Sequence, residues 1–408
     1  MTRIITMKIL HLSTTLEGGA GLAARRLNEA LNTLGLDSEI LSIGKNAEIL
    51  QNNEFFYPRT CFTKLKSSIL TLFQGKFVQS GSDLSTPRSI SVFKSINVFK
   101  EYDLIHIHAT YNFVNDKIFQ LLFDSKAILF ITMHDQRLFT GGCHYSLDCK
   151  QFKNECEMCP QVKSFFRSQV LKSQNRRTEL FTNPRVVSLV SPSRWLAEIA
   201  KSSKVLNRKE IEVVLNPVPE FYSHGDPKML RAKFDYKESD IVINFIASNL
   251  GNPNKGLATL FEAFLFVDQD KKKKLRLILI GSRGQINIPE GIQCDVLEQK
   301  SESEIAQRLR AGDVLIVPSK IDNSPNVIGE ALMAGSMVFG AEVGGISEVM
   351  KEMGFPTFPV GDHICLAKLL NAFEPNYDKN EVSRRANFFF SYEVIGNKIK
   401  DLYIAKVS

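Results

Sequence analysis

No stretch of this sequence comes near the roughly 18 uninterrupted apolar residues of a membrane-spanning helix, and no internal segment is low in complexity. A helical membrane anchor and a disordered repetitive chain are therefore not expected. Cysteine is too scarce for a disulfide framework: seven in 408 residues, an odd number, argue against a secreted disulfide scaffold. The opening MTRIITMKIL is too short and mixed for a signal peptide, so the chain is expected in the cytoplasm. No G-x-G-x-x-G run marks the first glycine-rich turn, and no acidic residue follows at the dinucleotide spacing, which excludes an NAD site there. The basic residues lack an RNP-type aromatic pattern or other recognised nucleic-acid module, so nucleic acid is not an expected partner. What remains is a soluble globular composition, 44% hydrophobic and 23% charged, long enough for two cores of ordinary domain size. The net charge of +7 is mild, so its distribution matters more than its size.

The most informative stretch is VPSKIDNSPNVIGEALMAGSMVFGAEVGGISEV, Val317 to Val349. DVLIVPS is a short apolar run closed by Pro, as in a central strand of a parallel sheet. Asp322-Asn323-Ser324-Pro325 then forms a loop, Pro325 suits an early helical position, and NVIGEALMAG is a helix ended by Gly335. A helix start beyond the strand ends of an open α/β sheet favours phosphate. Glu330, eight positions after Asp322, can accept both hydroxyls of a ribose, and Asp322 can accept from a hexose. Together these features point to a nucleotide-sugar site; two solvated acidic residues at an ordinary strand-helix turn are the alternative.

The rest of the chain supplies two α/β halves. Met7 to Leu12 reads as a buried strand, followed by the glycine-rich STTLEGGAG with Gly18, Gly19 and Gly21, then the helix LAARRLNEALNTLG, the opening of a Rossmann-like domain. Asp37 to Gly44 is a second strand. In YDLIHIHA, His106 and His108 fall on one strand face, and AILFITMH ends in His134, a histidine at the carboxyl end of a strand. It is either a functional group or a hydrogen-bonding structural one. Val186 to Ser191 is a further strand, and VVLNPVP with FYSHGD forms a linker, placing a boundary near Asn216. The second half opens with IVINFIASN, then Lys255-Gly256 ahead of the helix LATLFEAFLFV, where a lysine can neutralise a leaving diphosphate. Ser391 suits an N-cap for the closing helix.

Two basic stretches stand out. Residues 51–100 hold seven Lys or Arg against Glu54 and Asp83, and VKSFFRSQVLKSQNRR has five basic residues and no acidic one. Both suit peripheral contact with an anionic membrane surface, or are simply solvated faces. Between them, Cys143, Cys149, Cys156 and Cys159 fall within 17 residues and end in C-x2-C. That spacing suits a structural zinc, which would order a loop without an apolar core; disulfides or free thiols are the alternatives.

The string from Asp322 resembles the E-x7-E segment of family 4 glycosyltransferases, with Asp322 in place of the first Glu and Glu330 as the second. SMVFGAEVGGISEV is similar to the strand and GG-x-x-E turn that follow, and D-N-x-P-N looks like the subgroup that builds colanic acid, capsule and O-antigen polysaccharides. The resemblance runs from about Met7 to the last helix. It implies a GT-B fold, α/β with two Rossmann-like domains facing across a cleft. An acceptor-binding domain over 1–216 would carry a Cys-rich insertion at about 141–161. A nucleotide-sugar domain would cover 217–385, and a helix over 386–408 would pack back on the first. The resemblance also implies retention of anomeric configuration and no divalent metal at the reaction centre. Gly18 and Gly19 would approach the donor phosphate, His134 the donor sugar, and Lys255-Gly256 the phosphate. Asn323, Ser324, Asn326 and Glu330 would line the donor. Asn249 stands about where the family has an Arg, for which Arg283 is a candidate substitute.

The expected activity is transfer of a hexose from a UDP- or GDP-sugar to a saccharide acceptor, lipid-linked, in bacterial surface polysaccharide biosynthesis. No cofactor is required for that chemistry. The competing class is a non-catalytic nucleotide-sugar-binding subunit of a polysaccharide assembly complex, favoured by Asp322 and Asn249 and opposed by His134, Lys255 and Glu330. A sugar phosphorylase would need a pyridoxal lysine motif that is absent.

Overall fold

The computed structural model describes residues 7–42, 54–56, 84, 96–109, 116–182, 187–284, 286–298 and 300–407. Most of the first basic stretch, 51–100, lies outside the described residues. The chain divides into two compact units, Met1–Val214 with Gly396–Ser408, and Leu215–Ile395.

The first unit is built on a seven-stranded sheet: β1 Lys8–Ser13, β2 Asp37–Ser42, β3 Glu54–Phe56, β4 Leu104–Ile107, β5 Ile128–Thr132, β6 Val187–Ser191 and β7 Ile211–Val213. Every pairing is parallel, in the order β3-β2-β1-β4-β5-β6-β7. Both faces of such a sheet are covered, which is why Leu129–Ile131 is apolar without alternation and all four residues of Leu104–Ile107, His106 included, are buried. The order reverses direction between β1 and β4, and a crevice at the carboxyl ends of these strands is where ligands bind in open α/β sheets.

The second unit repeats the plan with six strands: β8 Ile241–Asn249, β9 Leu275–Ser282, β10 Cys294–Leu297, β11 Val314–Val317, β12 Met337–Ala341 and β13 Thr357–Phe358, ordered β10-β9-β8-β11-β12-β13 and all parallel. Successive residues of β11 point to opposite faces. Val314 and Ile316 pack with Phe245, Leu277 and helix residues Leu260, Phe264 and Leu366, while Leu315 and Val317 pack with Ile328, Leu332 and Met350. The switch point here lies between β8 and β11.

Helix Lys379–Phe390 stays with the second unit, burying Ala386 and Phe390 beside helix Asn326–Met333, whose Gly329 leaves room for the Phe390 ring. Gly396–Ser408 groups with the first unit. The last helix, Tyr392–Val407, has its start capped by Ser391, whose Oγ accepts from the Val394 N–H at 3.3 Å. Further along, Tyr403 is fully buried, with its ring 4.7 Å from that of Phe130.

Candidate functional site

At the switch point of the second unit, the loops after β8 and β11 each deliver one charged side chain. Lys255 ends a tight turn, Pro253–Lys255, in which Asn252 Oδ1 accepts from the Asn254 N–H at 3.0 Å. Asp322 follows β11, and its loop is tied to that turn by the Lys320 N–H donating to Asn254 O at 2.8 Å. The outcome is an ion pair, Lys255 Nζ to Asp322 Oδ2, at 2.6 Å. The pair lines one cavity with Phe245, Ile246, Ser319 and Pro325. An ammonium has three donors, so one spent on Asp322 leaves two for an anion in the cavity.

Two glycines make this junction possible. Gly256 (φ +74) lies so close to Pro318 that a Cβ would stand 1.8 Å from its carbonyl oxygen. Gly344 (φ +57) meets the Asp322 carbonyl oxygen at the same 1.8 Å, and the next amide, Gly345 N–H, donates to that oxygen at 3.3 Å. The glycines of K-G and GG-x-x-E thus let the backbone close around Asp322.

The remaining expected donor residues sit on the same loop and helix. Pro325 stands at the N-cap of helix Asn326–Met333, one step before the early helical position expected of it. Asn326 Oδ1 accepts from Asn216 Nδ2 at 2.9 Å, and the same Nδ2 reaches Ser324 O at 3.4 Å. Asn323 and Glu330 are buried, 2% and 3% exposed, and neither lines the Lys255–Asp322 cavity. Asn249 is exposed at the end of β8, where its Oδ1 accepts from the Gly251 N–H at 2.9 Å and so caps a turn. Arg283 follows β9, also exposed.

The switch point of the first unit holds a row of histidines that sequence reading only half foresees. His11 of β1 is the register partner of His106 of β4, so the two rings share a face of the sheet. His108 stacks on His106 with centroids 4.3 Å apart. Hydrogen bonds then run from His11 Nδ1 to His108 Nε2 at 2.9 Å and from His108 Nδ1 to His134 Nε2 at 3.2 Å. His106 bonds instead to Tyr403 Oη at 2.5 Å and Thr132 Oγ1 at 2.7 Å. Burial drives these rings toward the neutral form. His11 is pushed down to about 3, and His106 and His108 fall well below the ordinary value. His134, half-buried at a cavity lined also by His108, Asp135 and Arg137, is held at about 4 by loss of water, against the opposing pull of Asp135.

A neutral imidazole has one N–H, so the row must run in one direction. His11 Nε2 is buried without a partner, and a bare lone pair there costs less than an orphaned N–H. We therefore assign the His11 proton to Nδ1, donating to His108, whose Nδ1–H donates to His134 Nε2. His134 then carries its own proton on Nδ1. His11 was missed in sequence because a polar residue inside a strand reads as local packing. The available signal was its place near a strand end, like His106 and His134.

Gly18 and Gly19 open helix Gly18–Thr33. Gly18 has φ +73, and a Cβ on Gly21 would stand 2.4 Å from Thr15 O, but a Cβ on Gly19 would meet nothing within 4 Å. Backbone conformation accounts for the first and close packing for the third, and neither accounts for Gly19.

Among the described residues one set of side chains is spaced as metal ligands would be, and a second set shares a cavity. The nitrogens of His11, His106 and His108 lie within 4.8 Å of one another, although most already bond to each other or to hydroxyls. Cys143, Cys149, Cys156 and Cys159 line a single cavity, all as free thiols. Over them lies helix Arg167–Thr182, the second basic stretch. Phe166, just ahead of the helix, and Val170 within it are buried in the core, Gln174 Oε1 accepts from the Cys156 N–H at 2.7 Å, and Arg177 donates to Thr140 O at 2.6 Å. Packing thus accounts for the amphipathic pattern of that stretch. Among the described residues no helix is long and apolar enough to cross a membrane.

Comparison with known proteins follows this geometry. Residues 241–372, the span from β8 through helix His363–Ala372, match the family model described as glycosyl transferases group 1. Over the whole chain, the structure resembles sucrose-phosphate synthase from Thermosynechococcus elongatus, at TM-score 0.68 and 16% identity, covering 98% of this chain and 99% of that one. The fold is GT-B. HepE of Anabaena in complex with UDP-glucose gives TM-score 0.64 at 15% identity, covering 98% of this GT-B chain and 100% of that one. WaaG, a glycosyltransferase involved in lipopolysaccharide biosynthesis, gives 0.62 at 13% identity, over 97% and 99%. No curated protein matches the sequence.

Proposed function

We propose that this chain is a retaining glycosyltransferase that moves a hexose from a UDP- or GDP-sugar to a saccharide acceptor. The observation that carries the reading is the Lys255–Asp322 pair, set at a sheet switch point within the stretch that matches glycosyl transferases group 1. Departure of a nucleoside diphosphate leaves negative charge on a phosphate oxygen and positive character on the anomeric carbon. The two remaining Lys255 donors stabilise the first without a metal ion at the reaction centre. Asp322 accepts from a hexose hydroxyl, Glu330 from the ribose, and Asn323, Ser324 and Asn326 shape the donor loop.

On the first unit, the Gly18-Gly19 amides serve the departing phosphate and His134 holds the sugar. The bond from the anomeric carbon to the phosphate oxygen breaks, and the bond to the acceptor oxygen forms on the same face. The acceptor's proton passes to the leaving phosphate oxygen, so no protein base is assigned.

UDP-glucose is the first donor to try, because HepE was seen with it. We place the acceptor among the lipid-linked saccharides of bacterial surface polysaccharide assembly. Exposed Lys163, Phe165, Lys172 and Arg176 support contact with an anionic membrane. The cytoplasmic, membrane-peripheral location is part of the same proposal.

The test is a thermal-shift screen with UDP, GDP, ADP and their sugar conjugates, followed by donor hydrolysis. Stabilisation by one nucleotide, with slow hydrolysis of its sugar conjugate that is lost in Lys255→Ala, supports the enzyme. Stabilisation without turnover, whatever the acceptor, indicates the non-catalytic subunit. Sedimentation with anionic liposomes at low salt, reversed at high salt, tests membrane contact separately.

A further inference from the structure

The loop between β5 and helix Arg167–Thr182 has regular structure only as four three-residue turns, Gln136–Leu138, Gln151–Lys153, Cys156–Met158 and Ser164–Phe166. Contrary to the expectation of a loop without an apolar core, Phe139, Phe152 and Val162 anchor this connection in the core of the first unit, and the cysteines are distributed between those anchors. Within it, Cys143, Cys149, Cys156 and Cys159 converge on one small cavity. Three of them are buried, and Cys143 and Cys159 are in hydrogen-bonding contact. We propose that these four cysteines bind one structural Zn²⁺ as thiolates.

Three features besides convergence support a soft divalent cation over free thiols. The sulfurs are served by backbone donors: the Gly141 N–H points at Cys156, and the Gln161 and Val162 N–H groups point at Cys159. Amides directed at cysteine sulfur are the outer-shell partners that thiolate sites use. Four thiolates around one Zn²⁺ leave a net charge of −2, and Arg177 near Cys156 and Arg167 near Cys159 stand where that charge needs balance. Gln174 of the covering helix bonds the Cys156 N–H at 2.7 Å and Phe152 O at 3.0 Å, fixing the loop from above. Four protein ligands leave no open coordination position, so the ion orders the loop and takes no part in group transfer. Binding releases the four thiol protons to solvent. The site is independent of the proposed activity.

The full chain, purified under reducing conditions, is expected to carry about one zinc by mass spectrometric metal analysis. A mercurial thiol reagent should release it. Cys156→Ser with Cys159→Ser should reduce the content to less than about a tenth. Because those variants can fail to fold, the wild-type chain provides a second measurement. Exchange of its metal for Co²⁺ should produce a thiolate-to-cobalt charge-transfer band and the visible bands of a tetrahedral site. Three results would overturn the proposal: no zinc with no cobalt band, a mass showing disulfides among the four cysteines, or zinc that survives the Cys variants but is lost in His11→Gln, which would assign it to the histidine row.

Discussion

Lys255 and Asp322, 67 positions apart in sequence, are joined at 2.6 Å by an ion pair that ties together the two loops flanking the β8/β11 switch point. The lysine is a third exposed and the pair opens to a cavity, so its contribution to stability is small, about 0–1 kcal/mol. Its expected contribution to chemistry is much larger. Lys255→Ala should leave the melting temperature close to wild type and lower donor turnover by about 100- to 1,000-fold. A variant that unfolds early, or one that turns over normally, would remove Lys255 from the phosphate role.

The glycines separate packing from function. A methyl group at Gly256 or Gly344 would stand 1.8 Å from a carbonyl oxygen, at positive φ in each case. Gly256→Ala and Gly344→Ala should each cost about 2–4 kcal/mol in urea unfolding. Gly19→Ala meets nothing within 4 Å and should change stability by less than about 0.5 kcal/mol, while lowering turnover if the Gly19 amide serves the donor phosphate. A Gly19→Ala enzyme with unchanged kinetics would leave that glycine without a role.

The second-unit site was legible because both of its loops are announced by strands. IVINFIASN and DVLIVPS are apolar runs that end abruptly in polar, Pro-bearing loops, and burial on both faces of a parallel sheet demands such runs. The glycines' reason was not legible, since it lies in an approach of one loop to another. Likewise, His106 and His108 share a face by strand period alone. His11 joins them only through the parallel register of β1 with β4, which no single strand encodes. The free thiols at one cavity follow the spacing of the cysteines, but the amides that serve them depend on the loop's path.

Tyr403 ties the last helix to the histidine row. Its hydroxyl is 2.5 Å from His106 Nδ1, and both residues are fully buried. Tyr403→Phe keeps the ring against Phe130 and removes only the hydroxyl, leaving a buried ring nitrogen without its partner. The expected cost is about 1–3 kcal/mol in urea unfolding. A neutral result would show that the helix is held by its apolar contacts alone.

Acid should unfold the first unit earlier than its carboxylates require. His11, His106 and His108 are buried to 0%, 0% and 5% exposure, and loss of water holds each below its ordinary value, His11 at about 3. In the unfolded chain each titrates near pH 6.5. The unfolded state therefore binds more protons between those limits, so stability is full above about pH 6.5 and falls as pH drops toward 3. One histidine that stays neutral when folded removes about 2 kcal/mol between pH 7 and pH 5. Urea midpoints measured at these two pH values should drop steeply in wild type. His106→Gln, which keeps hydrogen-bonding capacity between Tyr403 and Thr132 but cannot be protonated, should show a shallower fall. Equal slopes in the two proteins would mean that His106 is not among the groups that acid must charge.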